Sequence, residues 1–244
     1  MQVDALAVRL RPRTPIEAAD AGVRLCQFAA RSVYPCYAIV ALPIMAFAMA
    51  SYQLANWLPS MVIWCAKPWL DRTILMVLSR AAFGQRTGPA DLWREQRQVW
   101  WSQLLFTWTV QRLSLWRSLT QPVYQLEGRS ILKARTRVRQ IRRRNTGSAL
   151  MMTQAFYASE AGLTIAMLSL VFWFAPSGRT PDVLEVLSGQ GPGFLTLAIT
   201  IAYALAVLFL EPFYVAAGFS MYLNRRAELE GWDIEQEFRR VFAH

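Results

Sequence analysis

The stretch FLTLAITIAYALAVLFLEPFYVAAGFSMYLNRR (194–226) decides the fold class. Between Glu185 and Arg225 its only charged residue is Glu211. A bilayer-crossing helix needs roughly 20 mostly apolar residues. From Phe194 to about Leu223 a helix rising 1.5 Å per residue would run about 45 Å. That exceeds the ~30 Å hydrocarbon core, so the helix must tilt, kink or project, and Pro212 is the natural kink.

Two further runs have the same character. Ser32 to Ala66 holds no charge, and Arg144 to Arg179 holds only Glu160. A buried soluble core does not need uncharged runs of this length. Of the 244 residues 55% are hydrophobic and 17% charged, against about 25% charged in soluble domains. The expected fold is therefore all-α: a polytopic membrane helical bundle of about four transmembrane helices with interfacial amphipathic helices.

Working outward, residues 1–32 read as a basic cytoplasmic N-terminus without a cleavable signal peptide, since no apolar core sits among its arginines. Thr14-Pro15-Ile16-Glu17 is a capping box with proline at the first helical position, a strong helix start. The amphipathic helix it opens, through Arg31, is expected at the membrane interface. Residues 33–82 hold the first two spans, about Val33–Trp57, kinked at Pro43, and about Met61–Ala82. The second is interrupted by Lys67-Pro68 and Asp71-Arg72, and topology argues for it: two basic segments on the cytoplasmic side require an even number of crossings between them.

Residues 83–147 form a basic cytoplasmic segment with thirteen Lys and Arg against Asp91, Glu95 and Glu127. In it 98–116 is Trp-rich, and Trp101, Leu104, Leu105 and Trp108 fall on one helical face. Its uncharged part is too short to span, which suggests a helix in the membrane plane. Arg129, Lys133, Arg135, Arg137, Arg139, Arg142, Arg143 and Arg144 follow with no acid among them. Residues 148–223 carry the last two spans around a charge-poor periplasmic loop, 176–193. Residues 224–244 read as a cytoplasmic tail, with Asn224-Arg225-Arg226 marking the membrane exit and an amphipathic helix beyond. All of this is one membrane domain with both termini cytoplasmic.

Three stretches carry a resemblance: KPWLDRTILMVLSRAAFG (67–84), RLSLWRSLTQPVYQLEG (112–128) and EPFYVAAGFSMYLNRRAELEGWDIEQEFRR (211–240). Together they resemble an uncharacterised bacterial family of integral membrane proteins, often encoded near MoxR-type AAA+ ATPases and a transglutaminase-related membrane protein. Met221–Gly231 is also similar to the membrane domain of some glycerophosphodiester phosphodiesterases, whose catalytic domain is absent here. The resemblance implies a bacterial inner membrane and a multiprotein assembly, with a MoxR-type ATPase system as the expected partner, and carries over no catalytic residue.

For enzymes the inventory is poor. The sole histidine is His244, so Ser-His or Cys-His pairs have no base. No Cys/His metal pattern and no phosphate-binding glycine loop occurs, and no cofactor is implied. An intramembrane aspartic dyad exists only on paper, among Asp71, Glu160 and Glu211. Cys26, Cys36 and Cys65 read as small apolar fillers. The net charge of +10 follows from Lys and Arg gathered in cytoplasmic loops, without nucleic acid.

The intramembrane charges Lys67, Asp71, Arg72, Glu160 and Glu211 cost about 2.5–3.5 kcal/mol each at a helix centre, so they should face inward and pair. Lys67 and Asp71, at i and i+4, can meet locally, leaving Arg72 to seek Glu160 or Glu211. Such a network either fixes helix register or forms a polar substrate or proton site. If structural, Asp71→Asn, Glu160→Gln and Glu211→Gln should each reduce folded yield by leaving a cation unpaired. Charges just before Pro68 and Pro212 point the other way, toward helix breaks that form sites in transporters. Ala198, Ala202 and Ala206 make a small-residue stripe, either a helix contact or chance spacing in an Ala-rich span. The 129–144 segment suits anionic lipid headgroups, an acidic cytoplasmic partner, or a topology-setting role alone. The acidic residues of 227–242 are expected to pack near it. The reading favoured is a non-enzymatic subunit or anchor of a membrane assembly; the alternative is a small transporter or lipid-handling protein.

Overall fold

A computed structural model describes residues 13–101, 114–127, 131–173 and 193–231. Every regular element among them is helical: α1 (Pro15–Phe28), α2 (Ala30–Ala50), α3 (Leu58–Ala81), α4 (Pro89–Arg94), a π-helical turn (Arg97–Trp101), α5 (Arg117–Leu126), α6 (Ile131–Arg142), α7 (Thr146–Trp173) and α8 (Gly193–Glu230). The all-α expectation therefore holds. Among the described residues two helices are long and apolar enough to cross a membrane, Ala30–Gln53 and Leu195–Glu230. α3 and α7 have the length, 24 and 28 residues, but α3 carries Lys67, Asp71, Arg72 and Arg80 along its course.

Local chemistry explains the boundaries. Thr14 caps α1 as expected, its hydroxyl accepting from the Glu17 amide at 3.3 Å. α3 ends where the Gln85 amide donates to Arg80 O and the Gly84 amide to Ala81 O. That pair of bonds requires a left-handed residue between them, and Gly84 has φ 72°. The helices run on through Pro35, Pro43, Pro68 and Pro212, so the two charge–proline pairs do not break them.

α8 departs from expectation at its far end. It passes straight through Asn224-Arg225-Arg226 to Glu230, so this triplet is no helix terminus and the start of the expected separate tail belongs to α8. Arg225 pairs with Glu228 at 2.6 Å and Arg226 with Glu230 at 3.0 Å, spacings that support a helix. Asn224 meanwhile clasps the Arg13 backbone, accepting from its amide at 3.1 Å and donating to its carbonyl at 2.9 Å. The rest of the expected tail, 232–244, and most of the Trp-rich 98–116 helix lie outside the described residues.

The core sits around the second halves of α3 and α8. Residues Leu70 to Leu78 of α3 are all buried, as are Tyr214 to Phe219 of α8, so both helices are enclosed on every side there. α1 does much of the enclosing. It packs along α8, with Ala18, Gly22, Leu25 and Cys26 buried. The Trp-rich segment contributes too: Trp100 donates to Thr73 Oγ1 at 3.1 Å and its carbonyl accepts from Trp69 at 3.3 Å. The other half of the bundle is open and apolar outward, with Leu42, Phe47, Trp64, Ile165, Leu170, Trp173 and Phe209 exposed.

The buried seam explains the thiols. Cys26 and Cys36 are fully buried, and Cys65 is half-buried. Burial pushes the Cys26 thiol up to about 12, so it holds little thiolate, the reactive form, at neutral pH. A small maleimide is expected to modify Cys65 first and to reach Cys26 only after denaturation, as read by mass spectrometry of the separate cysteine peptides. Modification of Cys26 in the native protein would show that the α1–α8 seam opens.

Candidate functional site: a buried chain of five charges

Each helix of the enclosed core brings one or two charges to a single place. α3 supplies Lys67 and Asp71, α7 supplies Glu160, α8 supplies Glu211, and α5 supplies Arg117. They alternate in sign: Glu160–Lys67 at 2.7 Å, Lys67–Glu211 at 2.8 Å, Glu211–Arg117 at 2.7 Å and Arg117–Asp71 at 2.7 Å. Side-chain exposure is 12% at Glu160, 3% at Lys67, 2% at Glu211, 6% at Arg117 and 0% at Asp71. The Asp71–Arg117 contact lies outside hydrogen-bond angles, so it holds by charge. Each cation also lies over a tyrosine, Lys67 at 5.6 Å from the Tyr157 ring and Arg117 at 5.4 Å from that of Tyr214, an arrangement that favours cations.

Four of the five expected residues thus meet, with different partners. Lys67 and Asp71 do not pair with each other despite the i, i+4 spacing. Acids from α7 and α8 surround Lys67, and the guanidinium of Arg117 reaches both Asp71 and Glu211. A planar fork suits two carboxylates better than a flexible ammonium does. Arg72 does not seek Glu160 or Glu211. It points elsewhere around α3, and its Nε donates to Val99 O at 2.5 Å.

Arg117 is the residue that sequence reasoning missed, placed as it was in a basic cytoplasmic segment. Its helix is held from every side. Thr153 of α7 donates to Leu115 O at 2.9 Å, and Trp116 donates to Thr146 O at 3.1 Å. Gln121 donates to Pro68 O at 3.1 Å and Gln125 to Arg72 O at 2.8 Å. Arg117, Gln121 and Gln125, at i, i+4 and i+8, form a polar stripe against α3. That stripe was the available signal: a cation with two glutamines on one face, in a segment whose other residues are largely apolar.

The basic segment divides. Arg129 lies outside the described residues, and Lys133 is within α6. Arg137 turns inward to Glu127 at 3.3 Å and also contacts Glu230, so the acidic end of α8 does reach the basic helix. Tyr222 donates to Glu127 at 3.0 Å in the same group. Arg142 stacks on Trp116 at 3.8 Å from the ring. Arg135, Arg139, Arg143 and Arg144 are exposed. Tyr124, Arg135, Arg139, Arg142 and Arg143 border a cleft of about 540 Å³.

Among the described residues no cluster of His, Cys, Asp and Glu could hold a metal ion. The five charges can lock four helices in register or carry a titratable carboxylate, and among the described residues nothing beside them supplies a nucleophile with its base. Comparison of the chain with protein-family models, curated proteins and solved structures returns no match.

Proposed function

We propose that the chain is a multi-pass protein of a bacterial inner membrane, crossing it with α2, α3, α7 and α8, and that it serves without catalysis as a subunit or anchor of a membrane assembly. The observation that supports this is the inversion of polarity. Five charges are paired at the centre while Phe47, Trp64, Ile165, Leu170 and Phe209 face outward. In water such an outer surface is a liability; in lipid it is what a helix bundle presents, with ionisable groups turned inward.

On this reading the exposed arginines of α6 lie at the cytoplasmic surface, where each is worth about 1 kcal/mol toward anionic headgroups. The same face offers an acidic protein partner a docking surface. The family resemblance adds a MoxR-type ATPase system as the partner to look for. A second reading, a small transporter or lipid-handling protein, is favoured by the cleft beside Glu160.

The test joins topology to partnership. The chain should resist alkaline carbonate extraction. Tags at residue 1, near Arg137 and at residue 244 should report cytoplasmic, and one near Gly189 periplasmic. Purification in mild detergent should retain a stoichiometric partner that is lost on Arg135→Glu, Arg139→Glu and Arg143→Glu together. A periplasmic signal near Arg137 removes α3 as a span, and release by carbonate overturns the membrane reading. A protein that purifies alone whatever the charge on α6 overturns the anchor.

A further inference from the structure

α7 packs on α8, but its contact with α3 is slight. Between the three helices a cleft of about 710 Å³ opens outward, walled by Met61, Trp64, Ile165, Leu168 and Ile199 and floored by Tyr157, Glu160 and Tyr203. The size is that of a small-molecule site, and so is the composition, apolar walls with a few convergent polar groups.

The floor decides what kind of molecule fits. Glu160 is the most exposed of the three buried acids and the one that lines the cleft. An anionic ligand would meet its carboxylate first, because Lys67 behind it is only 3% exposed and already shared by two acids. A neutral apolar ligand would cover that carboxylate without answering it, at a desolvation cost. A positive charge on an apolar body answers it, and aromatic side chains at the floor and wall (Tyr157, Tyr203 and Trp64) favour a cation.

We propose that this cleft binds a lipophilic cation, an apolar molecule carrying one positive charge that seats against Glu160. The proposal rests on the membrane reading above, since a ligand of this class would enter from lipid. It places a binding function at the edge of a charge chain that otherwise only ties helices together.

The experiment uses the whole chain in nanodiscs of phosphatidylcholine, with equilibrium dialysis against tetraphenylphosphonium and against tetraphenylborate, a probe of the same shape and opposite charge. Saturable binding of the cation and none of the anion is expected. Glu160→Gln should weaken cation binding about tenfold or more, because the partner of a desolvated charge is lost. In this variant Lys67 keeps Glu211 as its partner at 2.8 Å, so it should fold. Ala161→Trp fills the cleft from an exposed position without touching any charge, and it should also abolish binding. Equal uptake of both probes overturns the proposal, as does cation binding unchanged in folded Glu160→Gln or in Ala161→Trp. The carbonate extraction separates the two failures. An integral protein with no saturable cation site overturns the cleft alone, whereas a chain released by carbonate overturns the membrane reading and the cleft with it.

Discussion

Lys67→Met is expected to deplete folded protein from membranes almost completely, and Arg117→Met to do the same. Each cation serves two acids: Lys67 holds Glu160 and Glu211, and Arg117 holds Asp71 and Glu211. Removing either leaves three carboxylates against one cation where little water reaches. Breaking a buried pair from one side costs about 3–5 kcal/mol, against a total stability of about 5–15 kcal/mol for a typical domain. The acids behave differently, and here the structure revises the sequence-based expectation. Because each cation has two partners, Asp71→Asn, Glu160→Gln or Glu211→Gln leaves no cation unpaired and brings the chain to two acids and two bases. Their cost should be that of altered hydrogen bonding, about 1–3 kcal/mol, and least at Glu160, the most exposed. Arg117→Lys keeps the charge but loses the fork between Asp71 and Glu211, so it should fall between the two groups. Folded yield by size-exclusion chromatography and the thermal midpoint read all six variants. Collapse of Glu160→Gln beside a stable Lys67→Met would show that the charge chain is not what holds α3, α5, α7 and α8 together.

The contrast between cations and acids could not be drawn from sequence, and the reason is specific. Helix positions follow from apolar runs, which are local: α3 begins and ends, and α7 begins, within about three residues of where composition places them. Pairing is not local. Arg117 lies 94 residues from Glu211, and it arrives there on a helix of 10 residues, too short to register as a span. It falls within the basic 83–147 segment, so it reads as one more topology signal. The packing of α1 on α8 is hidden for a related reason. An amphipathic stripe looks the same whether it meets lipid or another helix, and only the small residues in the stripe, Ala18 and Gly22, hint at a helix. The end of α8 shows the reverse case. Asn224-Arg225-Arg226 looks like a boundary between span and tail, yet acids three and four residues on, Glu228 and Glu230, answer both arginines, and the helix continues past them.

Gly22→Leu is expected to separate α1 from the bundle. A Cβ built on Gly22 would lie 2.2 Å from Ala216 O, 2.6 Å from the Ala216 carbonyl carbon and 2.8 Å from Ala217 Cα. All three are backbone atoms of a helix enclosed on every side, so no side chain can turn aside to make room. Even Gly22→Ala must push the two helix axes apart. Overpacking typically costs 1–3 kcal/mol, and here the strain falls along a seam in which Ala18, Gly22 and Cys26 follow one another at i, i+4 and i+8 on α1, the small-residue spacing that permits close helix approach. The same substitution on α7 should do the opposite. At Gly162 a new Cβ meets nothing within 4 Å, so Gly162→Ala should be neutral or stabilising by about 0.5–1 kcal/mol through helix propensity alone. Thermal midpoints of the three variants give the order: Gly162→Ala highest, Gly22→Ala lower, Gly22→Leu lowest or unfolded. The thiol at Cys26 reports the seam directly. It should stay unmodified by maleimide in Gly162→Ala and become reactive without denaturant in Gly22→Leu. A Gly22→Leu protein with the parent midpoint and a protected Cys26 would mean that α1 does not seat on α8 through this glycine.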